Sequence, residues 1–175
     1  MIGGGLPPAL GSLRLLEILD LRSNLLKGDI PDEFEGLTRL RHLDLSRNGL
    51  GGHLKRWPGF LTSLVTLSLH HNRLRGFLPR SLGSLRSLEY LQLSHNTFVE
   101  DPFEAMQLLA ANGAERLREI ALHKNHFFED LSSMPSGRGE EKGGGGGGGM
   151  TPADRMADCK AHLEELFPNA TVLLY

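Results

Sequence analysis

Five asparagines, Asn24, Asn48, Asn72, Asn96 and Asn125, divide the chain at intervals of 24, 24, 24 and 29 residues. The same apolar frame surrounds each of them. It reads Leu16, Leu19, Leu21, Asn24, Leu26, then Leu40, Leu43, Leu45, Asn48, Leu50, then Leu64, Leu67, Leu69, Asn72, Leu74. It recurs as Leu88, Leu91, Leu93, Asn96, Phe98 and as Leu117, Ile120, Leu122, Asn125, Phe127. A frame repeated at a fixed period builds coils that each touch only their neighbours. Each Leu-x-Leu is a short period-2 strand with its apolar side chains turned into the coil. The next coil brings its own strand about 4.8 Å away, so the strands form one parallel sheet. The asparagines turn the chain inward, and their amides are expected to satisfy backbone groups left buried by the turn. They are structural, and Asn→Ala changes there should be costly.

Composition follows from the frame. Of 175 residues 35 are Leu, while aromatic residues are only 6%, because a narrow interior favours one stackable aliphatic side chain. Lys and Arg number 19 against 21 Asp and Glu, a balance with no electrostatic footprint for nucleic acid or an anionic membrane. The single Cys159 excludes a disulfide framework and a multi-cysteine metal site. No apolar run approaches the roughly 20 residues of a membrane helix.

The frame resembles the leucine-rich repeat family over about residues 4 to 131. The second halves of the repeats, Gly28-x-Ile30-Pro31-x-x-Phe34-x-x-Leu37 and Gly76-x-Leu78-Pro79-x-x-Leu82-x-x-Leu85, are similar to the plant-type pattern of receptor-like kinases, receptor-like proteins and polygalacturonase-inhibiting proteins. The resemblance implies an α/β right-handed solenoid, with a parallel sheet on the concave face and an irregular or helical convex side. It also implies recognition of a protein or peptide, as in ectodomains of receptor-like proteins or inhibitors of pathogen enzymes. In the second repeat Lys55 replaces the Pro and Pro58 an apolar residue, so Trp57 or Phe60 is expected to fill the gap. In the fourth, Glu100, Pro102 and Phe103 replace Gly, Ile and Pro, and Phe103–Gly113 has apolar residues at helical spacing with an Asn-Gly stop. A true helix there accounts for the 29-residue interval.

Subtracting one period puts Gly4, Leu6, Pro7, Leu10 and Leu13 in the frame, so the chain opens in mid-repeat without a polar cap. The expectation is a piece of a longer solenoid, or an end coil that a partner covers. Residues 1–131 are assigned to a partial first repeat plus five, and 132–150, with the run Gly143–Gly149, to a flexible linker. Residues 151–175 are assigned to a helix and strand forming a last incomplete repeat. Thr151-Pro152-Ala153-Asp154 reads as a capping box, Met156, Cys159, Leu163, Leu166 and Phe167 share a helical stripe, and Pro168 ends it. Ala170-x-x-Leu173-x-Tyr175 then fits the frame, which predicts pairing of this segment with Ile120–Leu122.

The candidate contact residues are the variable positions beside each Leu-x-Leu: Arg41, His42, Asp44, Arg47, His70, His71, Tyr90, Gln92, His95, Arg118 and His123. Tyr90, flanked by Arg118 and His95, is the best anchor, since Tyr and Arg dominate hot spots. Five of the eight histidines lie here, with His71 and His95 in one column between Arg47 and Lys124. The plain reading is a solvated contact face. One sharper reading is a pH switch, in which protonated His and Arg repel and loosen a ligand at low pH. The other is zinc, although His70 and His71, adjacent in sequence, are expected to diverge. Asp20 and Asp44 share a column at the spacing of a glycosidase pair, but a flat exposed sheet offers no pocket to shift a pKa, and Arg22 and Arg47 are nearer partners. No hydrolase, metalloprotease or kinase signature appears. The expectation is a binding module, not an enzyme, with no cofactor and no metal. The alternative is the repeat part of a larger signalling protein whose catalytic part lies elsewhere. Without an apparent signal peptide or disulfides the expected location is cytoplasmic; it is extracellular or membrane-anchored if the chain belongs to a receptor-like protein. Asn169-Ala170-Thr171 is a glycosylation sequon that such a cytoplasmic location would leave unused.

Overall fold

The computed structural model describes residues 1–99, 101–112, 115–127 and 151–175. The expected linker at 132–150 lies outside these residues, as do Glu100, Gly113 and Leu131. In chain order the strands are β1 Gly3–Gly4, β2 Ile18–Asp20, β3 Leu25–Asp29, β4 His42–Asp44, β5 Gly49–Gly51, β6 Thr66–Ser68, β7 Arg75–Gly76, β8 Tyr90–Gln92, β9 Thr97–Phe98, β10 Glu119–Ala121 and β11 Thr171–Leu173. The helices are α1 Phe103–Ala111 and α2 Pro152–Leu166.

The principal sheet is parallel and six-stranded, in the order β11-β10-β8-β6-β4-β2. Its register puts equivalent frame positions side by side: Leu19↔Leu43, Leu43↔Leu67, Leu67↔Leu91 and Leu91↔Ile120. The frame side chains fill one continuous core, in which Leu43, Leu67, Leu91 and Ile120 are fully buried. The asparagines do what the frame requires. Asn72 Oδ1 accepts the Leu50 amide, and its Nδ2 donates to the Leu45 and Leu69 carbonyls, each at 3.0 Å. Asn48, Asn96 and Asn125 repeat this arrangement one coil apart.

A second set of parallel pairs runs along the flank: β1-β3-β5, β7-β9, and the bridges His53↔Arg75 and Val99↔His126. Leu-x-Leu periodicity does not reveal these short, mostly exposed strands. Their signal is glycine: Gly4, Gly28, Gly52 and Gly76 stand 24 residues apart, each in the left-handed region with φ between +69° and +99°. There a side chain would strain the backbone.

The convex side carries short 3-10 turns at Pro8–Ser12, Asp32–Gly36, Trp57–Phe60 and Arg80–Ser84, then α1. Pro7, Pro31 and Pro79 precede three of these turns, in extended backbone that their rings favour. In the irregular second repeat Trp57 fills the gap, 1% exposed, with its ring edge-on to Phe34 at 5.9 Å; Phe60 is 54% exposed. The longer fourth repeat does form a helix, α1, which buries Ala105, Met106 and Leu109.

Helix α2 begins with the reciprocal capping box of Thr151 and Asp154 and buries Cys159 and Leu163. Leu166, placed on the apolar stripe by its spacing, is instead 36% exposed. Burial and the neighbouring Asp101 carboxylate push the Cys159 thiol up to about 12, so it behaves as a small apolar side chain. Strand β11 then closes the sheet against β10, but one residue away from the expected register. Ile120 pairs with Val172 and Ala121 with Leu173, so the inward positions are Val172 and Leu174 rather than Leu173 and Tyr175. Both registers bury two apolar side chains, and period 2 alone does not separate them. The phenol decides, because turned inward the Tyr175 hydroxyl would need a partner among leucines. Tyr175 faces outward, 63% exposed.

Candidate functional site

The concave sheet sorts the contact candidates into three neighbourhoods. At the strand centres His42 Nδ1 lies 3.1 Å from Thr66 Oγ1, and Gln92 accepts from Ser68 at 3.1 Å while donating to Glu119 at 3.0 Å. Tyr90 is half-buried between Thr66 and Glu119 in the register. Asp44 accepts from the Ser46 amide at 2.9 Å and the Ser46 hydroxyl at 2.6 Å. The Arg22 guanidinium spans Asp20 and Asp44, at 3.3 and 3.7 Å, so this carboxylate pair shares one cation on a solvated surface. Arg47 forms no ion pair with either carboxylate.

Where the strands begin, Arg41 lines an open groove of about 340 Å³ with Glu17, Arg39, Ser63, Ser87 and Arg116. Arg118, in the next groove, is 3.3 Å from Glu89. Arg39, Ser63, Ser87 and Arg116 were not among the sequence candidates, because they precede the first frame leucine and lie at the rim. Their shared position in each repeat was the available signal.

Where the strands end, four histidines and one tyrosine form a continuous row of rings. His70 and His71 converge, contrary to the expectation from their adjacency, with their Nδ1 atoms 3.2 Å apart and centroids at 5.1 Å. His71 takes left-handed backbone, φ +55°, and this swings its side chain back towards His70. His71 and His95 are 3.9 Å apart, His95 and His123 5.4 Å, and Tyr175 stacks on His123 at 5.2 Å. Tyr175 was missed as a surface residue through the register error in the last coil. Burial, and then neighbouring histidines, hold His71 and His123 below the usual histidine range. Burial lowers His70 as well, opposed by Asp44. Among the described residues no three His, Cys, Asp or Glu side chains come together in a way that could hold a metal ion.

These depressed values set a sign. The unfolded chain binds more protons than the folded one once the pH falls below the ordinary histidine value, so this cluster withdraws stability on acidification. His162, raised by its bond to the Asp158 carbonyl, opposes the trend from helix α2. The melting temperature should therefore drop from about pH 7.5 to about pH 5.5, and drop less in His71→Asn. Thermal melts at both values check this; an equal drop in the variant would remove the cluster as the cause.

Two spans, residues 7–50 and 55–98, together half of the chain, match the family model described as Leucine rich repeat. The chain belongs to the leucine-rich repeat family. No curated protein matches it. Among solved leucine-rich repeat structures similar to it is the ectodomain of the Arabidopsis thaliana membrane receptor kinase GASSHO1/SCHENGEN3 in complex with CASPARIAN STRIP INTEGRITY FACTOR 2. It is 32% identical, with a TM-score of 0.62 over 71% of this chain and 17% of that one. The Arabidopsis receptor kinase HAESA, in complex with the peptide hormone IDA and the co-receptor SERK1, is 31% identical, with a TM-score of 0.65 over 71% of this chain and 20% of that one. A plant ice-binding protein is 30% identical, with a TM-score of 0.65, 71% of this chain and 39% of that one being covered. The chain thus spans well under two thirds of the length of each. Among the described residues no helix of this repeat protein is long and apolar enough to cross a membrane.

Proposed function

We propose that this leucine-rich repeat chain is a recognition module that holds a protein or peptide across its concave sheet, as the repeat part of a larger receptor-like protein. The observation that carries the reading is the division of labour along each strand. Buried leucines fix the backbone of every coil, while His42, Asp44, Tyr90, Gln92 and their neighbours present a graded, half-exposed polar surface. A rigid curved surface of this kind suits recognition. The receptor kinases above, solved with a peptide hormone or an integrity factor bound, support the same reading. Ile2, Leu13, Leu15, Ile18 and Leu25 are exposed along the first coil. An apolar face of this sort suits a partner or a neighbouring coil.

The test begins with peptides selected on the protein from a random display library. Tyr90→Ala should weaken the selected binders roughly thirtyfold, as loss of an anchor does, and Arg41→Ala and Arg118→Ala should add to this. The convex pair Lys55→Ala and Arg80→Ala should leave binding unchanged. Binders lost in the convex pair and kept in the concave variants would place recognition on the other side.

A further inference from the structure

We propose that the column Arg47, His71, His95 and Lys124, with His70 and His123 beside it, binds the carboxylates of an acidic peptide segment and takes up protons as it does so. The proposal rests on the concave-face reading and names the ligand chemistry of one part of that face.

Four successive coils put a basic or protonatable side chain at the same position, just before the asparagine. Each of these residues is left-handed, with φ between +54° and +57°. The Arg47, His71 and His95 amides donate to the His70, Ser94 and His123 carbonyls of the adjacent coil, and the Lys124 amide to a main-chain oxygen of Tyr175, at 2.9–3.0 Å. The backbone therefore holds these side chains in one ridge, rising about 4.8 Å per coil. None of the four is ion-paired among the described residues.

The carboxylates facing the ridge are already engaged. Asp44, towards His70, is bonded to Ser46 and near Arg22, and Glu119, towards His123, accepts from Gln92. In the free protein the imidazoles touch one another, and a proton added to His71 or His123 meets a neighbouring ring and the Arg47 or Lys124 cation. Burial adds to that resistance. A carboxylate lying along the ridge removes the repulsion, so the complex holds more protons than the free protein and affinity rises as the pH falls. Loosening on protonation, the expectation from sequence, applies to a neutral or cationic ligand; carboxylates reverse the sign.

The probe is a rhodamine-labelled peptide of about ten residues alternating Asp and Ser, with an Asn-Ser peptide as the uncharged control. Fluorescence anisotropy at constant ionic strength follows both from about pH 7.5 to about pH 5.5. The Asp peptide should bind roughly tenfold or more tightly at the lower value, which corresponds to an average uptake of about half a proton or more over the two pH units, and the Asn peptide should not bind. The double variant H71N/H95N keeps residues that tolerate left-handed backbone, and it should flatten the rise to below about threefold. Equal binding of the Asn peptide, affinity that is flat or falls on acidification, or an unchanged rise in the double variant overturns the proposal. Should the variant not fold by circular dichroism, NMR titration of the wild-type histidines decides instead. The Asp peptide must raise the midpoints of His71 and His123, and unmoved midpoints overturn the proposal. Acid-dependent binding lost in Tyr90→Ala but kept in H71N/H95N leaves the concave-face reading standing and removes the ridge. Binding lost in H71N/H95N but untouched by Tyr90→Ala keeps the ridge and removes Tyr90 as the anchor of the concave face.

Discussion

Replacing Asn72 with alanine should cost about 3 kcal/mol of stability, measured by chemical denaturation. Three hydrogen bonds go at once. The Leu45 and Leu69 carbonyls keep other partners in Asn48 and Asn96, but the Leu50 amide loses Asn72 Oδ1 inside a dry core. A donor abandoned in this way costs about 1–3 kcal/mol, and each of the other two bonds about 1. Asp at the same position should be no better, since it keeps the acceptor, loses both donated bonds and brings a charge against two carbonyls. Asn24 is the internal control. It occupies the same frame position in the first coil, its bonds to Ile2, Leu21 and Arg22 are largely exposed, and Asn24→Ala should cost under about 1 kcal/mol. Equal losses at the two positions would mean that the cross-coil bonds contribute little.

Trp57→Ala should cost still more, about 4 kcal/mol, because it empties a large cavity beside Phe34 in a repeat where Lys55 and Pro58 replace the usual Pro and apolar residue. Trp57→Phe should cost less than about 1.5 kcal/mol. The indole Nε1–H is buried without a hydrogen-bond partner, so phenylalanine removes an unsatisfied donor along with some volume. Thermal melts of both variants separate the contributions. As the only tryptophan, Trp57 also reports directly: its emission should shift to the red together with the loss of secondary structure. A Phe variant as unstable as the Ala variant would show that the indole nitrogen has a partner after all.

The fold was legible wherever one residue type repeats for one reason. Asn24 to Asn125 and the leucines before them located the principal sheet, because a period that buries leucine and turns on asparagine has one compact solution. The long interval before Asn125 announced α1, since Phe103 to Ala111 carries helical spacing. Legibility failed where two choices bury equal apolar surface. Val172 with Leu174 competes with Leu173 and Tyr175, and a single hydroxyl separates the two registers. It failed again on the flank, where the strands are marked only by Gly28, Gly52 and their equivalents. Within the candidate site, the columns were visible because register follows from the repeat. The convergence of His70 and His71 was not, since it depends on the left-handed backbone of His71, which no residue type at that position announces.

That left-handed position limits how the surface can change over time. Most outward residues of the sheet lie between inward leucines and can be exchanged without disturbing the interior, so the outward surface can vary at little structural risk. The residue before each asparagine is the exception. Valine, isoleucine and threonine are disfavoured there by their own branching, while Ser23, Arg47, His71, His95 and Lys124 are tolerated. One column of the concave surface therefore draws on a smaller alphabet than the rest, and drift along it should favour unbranched polar side chains.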